Sequence, residues 1–212
     1  MTAPRPRPGI LEIRPYVGGK AEVAGASSIV KLSSNESAVG PSPRAVAAFE
    51  AEAGRLHRYP DGGCTALRQK IAQRFNLDAG RIVCGAGSDE LLSLLVRAYA
   101  GPGDEVLYSA HGFLMYRLSA LAAGATPVAA PEVDLRADVD ALLARVTSRT
   151  RIVFIANPNN PTGSYLSGAE LARLHAGLPA DVLLVIDAAY AEFVRAPDYG
   201  DGQELALAHP NV

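Results

Sequence analysis

The chain has 212 residues, of which 49% are hydrophobic and 20% charged, the balance of an ordinary water-soluble globular protein. A formal net charge of −2 and a sequence pI near 6.1 give no electrostatic footprint for nucleic acid or an anionic membrane surface. No apolar run reaches the roughly 20 residues of a membrane span, and the Pro- and Arg-rich start lacks the apolar stretch of a secretory signal.

Cys64 and Cys84 lie far apart, without C-x-x-C spacing or a nearby histidine cluster. They are expected to be buried free thiols in a reducing, cytoplasmic setting, with neither a disulfide nor zinc. Residues 1 to 33 are rich in Pro, Gly and Arg, carry no sustained period, and read as an extended arm. Residues 34 to 212 then read as one large, incomplete domain.

In that domain the pattern predicts a helix over Pro43–Ala53, a loop over Arg55–Gly63, and an amphipathic helix over Thr65–Phe75 with Leu67, Ile71 and Phe75 on one face. An apolar strand at Arg81–Cys84 leads through a glycine turn into a helix bearing Leu91, Leu94, Leu95 and Ala98. A strand at Glu105–Tyr108, a helix over His111–Ala122 and a strand at Thr126–Ala130 follow. Val139, Leu142, Leu143 and Val146 mark a further helix. Ile152–Ala156 reads as a buried strand, and Ser167 with Glu170 as a capping box that opens the next helix. Val182–Ile186 is the last strand and closes on Asp187. Continuously apolar strands alternating with helices imply an α/β fold of three αβα layers around a largely parallel sheet.

Ligands of such sheets collect at the carboxyl ends of the strands, and three polar motifs fall there. In Gly85-Ala86-Gly87-Ser88-Asp89-Glu90, small residues and a helix start could present backbone N–H groups to a phosphate, with the acidic side chains turned away. The same string also suits a plain turn with acidic first-turn residues. In Asn157-Pro158-Asn159-Asn160-Pro161-Thr162-Gly163, two prolines stiffen a loop that holds a side-chain amide in a fixed direction. In Val185-Ile186-Asp187-Ala188-Ala189-Tyr190, an aspartate ends an apolar strand, where desolvation calls for a cationic partner. Tyr190 can bring a hydroxyl to the same ligand. The alternative is an Asp187 that caps the segment after it. His57, His175 and His209 read as surface or loop residues without a role.

Together these strings resemble the pyridoxal-phosphate (PLP) aminotransferases of fold type I. Arg58-Tyr59-Pro60-Asp61-Gly62, Leu32-Ser33-Ser34-Asn35-Glu36-Ser37 with Gly40-Pro41-Ser42-Pro43, and Arg14-Pro15-Tyr16-Val17-Gly18-Gly19-Lys20 narrow the resemblance to the histidinol-phosphate branch. The resemblance implies that Asp187 pairs with the pyridine nitrogen, that Asn160 and Tyr190 bond the ring's phenolic oxygen, and that backbone N–H groups of Ser88 and Asp89 hold the cofactor phosphate. It further implies that Phe113 stacks on the ring, although a lone helix aromatic is as readily core. Tyr59 would reach the cofactor of a neighbouring subunit in a homodimer, and Tyr16 and Asn35 would shape the substrate pocket. The chain departs from the family pattern in carrying Ala188 where an acidic residue is usual, and Phe113 where tyrosine is frequent.

The activity implied is amino transfer between histidinol phosphate and 2-oxoglutarate in histidine biosynthesis. An aromatic or broad-range aminotransferase and a phosphothreonine decarboxylase of the same branch share these motifs. The family's Schiff-base lysine would fall just past Val212. The lysines present are Lys20, Lys31 and Lys70, and none lies in that context. The substrate-clamping arginine and the small C-terminal domain would lie further downstream. The expectation is therefore a partial chain that lacks the strands separating Arg81–Cys84 from Ile152–Ala156, and that by itself at most binds PLP without turning over.

Overall fold

The computed structural model describes residues 6–14, 24–25, 31, 34–37 and 39–212. It divides into two units. One comprises the described residues from Arg14 to Val83, the other those up to Ile13 together with Cys84–Val212.

In the first unit, Pro43 occupies the opening turn of helix α1 (Pro43–Ala53), where its missing N–H is no loss. The Asp61 carboxylate accepts the N–H groups of Gly63 and Thr65 at 2.9 and 2.8 Å and so ties the turn into helix α2 (Thr65–Phe75). Those bonds, Thr65 foremost, hold the Asp61 carboxyl below its ordinary range. Arg68 Nε donates to the Ala79 carbonyl at 3.0 Å and fixes a short 3-10 turn, Ala79–Arg81, beneath α2. The strand expected at Arg81–Cys84 is not formed. Ile82 is extended, but a strand exists through its neighbour, and Ile82–Cys84 pair with none among the described residues.

The second unit carries the sheet. Helix α3 (Gly87–Tyr99), strand β1 (Glu105–Ser109), helix α4 (Leu114–Ala123) and strand β2 (Thr126–Ala130) come first. A small hairpin, β3 (Glu132–Val133) with β4 (Arg136–Ala137), leads to helix α5 (Val139–Leu143). Strand β5 (Thr150–Ala156), helix α6 (Gly168–Gly177), strand β6 (Leu183–Asp187) and helix α7 (Gln203–Ala208) complete it. The main sheet runs β2-β1-β5-β6, and each neighbouring pair is parallel.

Alternation along the strands sorts the core into two faces. Leu107, Val153, Ile155 and Leu184 meet Leu142 of α5 and Leu171 and Leu174 of α6. Val106, Tyr108, Ile152 and Phe154 meet Leu92 and Val96 of α3 and Tyr116 and Ala120 of α4. Helices thus cover both faces of the parallel sheet, the three-layer α/β arrangement expected. A short N-terminal 3-10 turn, Ile10–Glu12, lies on α4, where Arg7 donates to the Ala122 carbonyl at 2.6 Å.

Several details differ from the sequence reading. The face of α3 that enters the core is Leu92 and Val96, while Leu94 is exposed. Helix α4 starts at Leu114, because residues 111–113 form the turn that leaves β1. Helix α5 ends at Leu143, although Val146 still packs on the core. The capping box is present, with Ser167 and Glu170 each bonding the other's backbone. Both cysteines are free and half-buried. His175, expected at the surface or in a loop, is half-buried in the last turn of α6, its ring 4.1 Å from that of His209. Among the described residues no helix is long and apolar enough to cross a membrane.

Candidate active site

Three chain reversals at the carboxyl ends of β1, β5 and β6 place side chains around one cleft. After β1, the Gly112 N–H returns to the Ser109 carbonyl at 2.7 Å. A Cβ at Gly112 would meet that same carbonyl oxygen at 2.9 Å, so the tight turn needs glycine. The turn makes Phe113 the residue that caps α4.

After β5, the Asn157 side chain is fully buried and its hydrogen bonds are complete. Its Oδ1 accepts the Leu166 N–H at 2.7 Å, and its Nδ2 donates to the Leu166 and Gly200 carbonyls at 3.0 and 2.8 Å. The Tyr199 hydroxyl donates to the Asn157 carbonyl at 2.6 Å. Asn159 Nδ2 donates to the His111 carbonyl at 3.0 Å and so joins this loop to the β1 turn. The Asn157–Pro158 and Asn160–Pro161 bonds are both cis. The hydrogen bonds of Asn157 and Asn159 tie down the loop that carries Asn160.

After β6, Asp187 is half-buried. Its Oδ2 accepts the Tyr116 hydroxyl at 3.0 Å, and its Oδ1 accepts the Ala189 N–H at 3.2 Å. Among the described residues no cationic side chain forms an ion pair with it. A partly desolvated carboxylate without a cationic partner is costly, and one that lines a cleft suits a cationic ligand atom.

Ser88, Phe113, Asn160, Asp187 and Tyr190 line this cleft together. Ser88 opens α3 next to Gly87, which has φ +73°. Within that first turn the Ala86 N–H donates to Glu90 Oε2 at 2.6 Å and the Gly87 N–H to the Gly85 carbonyl at 2.9 Å. The amides of Ser88 and Asp89 have no acceptor within the helix, as the first turn requires. Glu90 therefore does not turn away as expected: its carboxylate folds back onto its own helix entrance, where the helix dipole favours negative charge. Asp89 is exposed beside Ser88.

Tyr59 and Asn35 belong to the other unit. There Tyr59 is 97% exposed and Asn35 adopts a left-handed φ of 53°. Tyr16 falls outside the described residues. A larger cavity of about 650 Å³ between α6 and the Tyr199–Leu205 segment gathers none of the strand-end residues.

Sequence pattern alone does not single out Tyr116. It is fully buried, stacked on Phe154 with ring centroids 4.6 Å apart, and edge-on to Phe113 at 5.9 Å. Burial, and then the neighbouring Asp187 charge, push its hydroxyl far above the ordinary tyrosine range, so it stays a proton donor. Its one sequence signal is an aromatic residue three positions after Phe113, the cap of α4.

A family model described as aminotransferase class I and II matches residues 27–211. Over 212 residues the chain is 68% identical to a histidinol-phosphate aminotransferase of Paramagnetospirillum magneticum, covering 100% of this chain and 58% of that protein. It is 64% identical to one of Rhodospirillum centenum, covering 100% of this chain and 59% of that protein. The chain thus spans somewhat over half the length of these relatives. Among solved structures, histidinol-phosphate aminotransferase from Sinorhizobium meliloti in complex with pyridoxal-5'-phosphate aligns with a TM-score of 0.75 and 31% identity, over 79% of this chain and 46% of that one.

Proposed function

Since the chain belongs to the aminotransferase class I and II family, we propose that it is the cofactor-binding part of a PLP-dependent histidinol-phosphate:2-oxoglutarate aminotransferase of histidine biosynthesis. The observation that carries this reading is the convergence of Ser88, Phe113, Asn160, Asp187 and Tyr190, from four separate stretches of chain, on one cleft. Its donor set fits the cofactor: a carboxylate for a protonated ring nitrogen, an amide and a phenol for a ring oxygen, an aromatic face, and helix-start amides for a phosphate.

When bound, PLP supplies the electron sink that stabilises negative charge at a substrate α-carbon. The chain's own share is positioning. Asp187 holds a proton on the ring nitrogen through charge, Asn160 and Tyr190 orient the ring by hydrogen bonds, and Phe113 covers one ring face. The N–H groups of Ser88 and Asp89 anchor the phosphate at the α3 start. Residues 34–212 are the PLP-binding domain on this reading, preceded by an arm. Tyr59 serves the neighbouring subunit of a homodimer, Tyr16 and Asn35 serve the substrate, and the enzyme works in the cytoplasm. The partners are a small amino donor and a keto acid.

The test compares turnover of histidinol phosphate and phenylalanine, with 2-oxoglutarate as acceptor, by the whole protein. A preference for histidinol phosphate is expected. A preference for phenylalanine would reassign the protein to aromatic amino transfer, and turnover of neither would overturn the reading.

A further inference from the structure

We infer that Tyr116 is a positioning residue for Asp187, one that sets the carboxylate plane toward the ring nitrogen of a pyridine ligand. The inference rests on the reading of the cleft given above and adds a residue to it. A buried tyrosine hydroxyl needs a partner, and this one donates to Asp187 Oδ2 at 3.0 Å.

Packing alone does not account for a tyrosine here. The parallel stack on Phe154, 3° from coplanar, and the edge contact with Phe113 at 83° would be kept by phenylalanine. The hydroxyl is the part that packing leaves over, and it meets the acidic side chain of the cleft. With Oδ1 held by the Ala189 N–H at 3.2 Å, the two bonds oppose rotation of the carboxylate about its Cβ–Cγ bond. The remaining lone pairs then have a fixed direction. Through its ring, Tyr116 also backs Phe113, which lines the same cleft. One buried side chain thus sets two of the surfaces a planar ligand would meet. The hydroxyl stays protonated because burial and the adjacent carboxylate oppose its ionisation, so the donor persists through the working pH range.

The test uses the whole protein and two ligands: PLP, and its deaza analogue, in which carbon replaces the ring nitrogen. Dissociation constants come from the ligand's absorbance on titration. In Tyr116→Phe, affinity for PLP should fall about tenfold, the scale of one charge-assisted hydrogen bond, with affinity for the deaza analogue unchanged. In an Asp187→Asn background the same substitution should change neither, because the coupling runs through that carboxylate. Equal losses for both ligands would mean a structural role only, and undiminished PLP affinity would mean no role. Either overturns the inference and leaves the cleft assignment standing. A wild-type protein that binds both ligands equally would overturn the cleft assignment and, with it, the inference.

Discussion

Asn157 and Leu166 are joined in both directions: the side-chain amide of one accepts the backbone N–H of the other at 2.7 Å and donates to its carbonyl at 3.0 Å. This closes the loop that carries Asn160 into a fixed shape and does so out of reach of water. The role belongs to folding, and its consequence is felt in the site.

Replacing Asn157 with alanine strands the Leu166 N–H and two carbonyls. Unsatisfied buried groups cost about 1–3 kcal/mol each; with partial relaxation, Asn157→Ala should destabilise by about 2–4 kcal/mol. Urea denaturation measures this. The variant should also bind PLP more weakly, because Asn160 loses its fixed direction.

Gly87 has φ +73° with open space where a side chain would begin. Strain, with no steric collision, is therefore the expected effect of Gly87→Ala, at about 1–2 kcal/mol. Relaxing that strain turns the Ser88 and Asp89 amides, so PLP affinity should fall, and inorganic phosphate should compete less well. Asparagine, which tolerates the left-handed region better, should do less harm. Calorimetric titration of the two variants checks the order.

Glu170 is held down to about 2 from an ordinary 4.5, first by the Arg136 hydrogen bond and also by the Ser167 N–H. A depressed folded-state value means the carboxylate stabilises the fold above its ordinary range. That contribution is lost as pH falls from 4.5 toward about 2. Glu170→Gln should therefore be less stable than wild type at neutral pH, with the gap closing across that window. Urea midpoints taken at a series of pH values follow it, and a constant gap would contradict the assignment.

The legible parts of the fold are those where local pattern and burial coincide. Ile152–Ala156 of β5 and Leu183–Ile186 of β6 are continuous apolar runs in a sheet with helices on both faces, and each is followed by polar residues of the cleft. The Ser167–Glu170 box is a local exchange of hydrogen bonds, so spacing alone reveals it. In α3, Leu91, Leu92, Leu94, Leu95 and Val96 are apolar on more than one face. Period is readable there but phase is not, and packing selects Leu92 and Val96. Ile82–Cys84 has strand composition, but pairing depends on a neighbour. The β3–β4 hairpin turns on Asp134 and Leu135, both at positive φ, without the glycine or asparagine that usually signals such a turn. Tyr116 looks like any core aromatic, because its hydroxyl partner lies 71 residues away in the chain.

The proposed function turns on Asp187 facing the ring nitrogen of a bound PLP. Its most direct test is steady-state turnover of histidinol phosphate by the whole protein and by Asp187→Ala, alongside cofactor titration. Removing one preorganised electrostatic contact should lower kcat by about a hundredfold or more, with PLP bound more weakly. Full turnover and unaltered PLP affinity in Asp187→Ala would contradict the account, since the residue placed at its centre would then be dispensable.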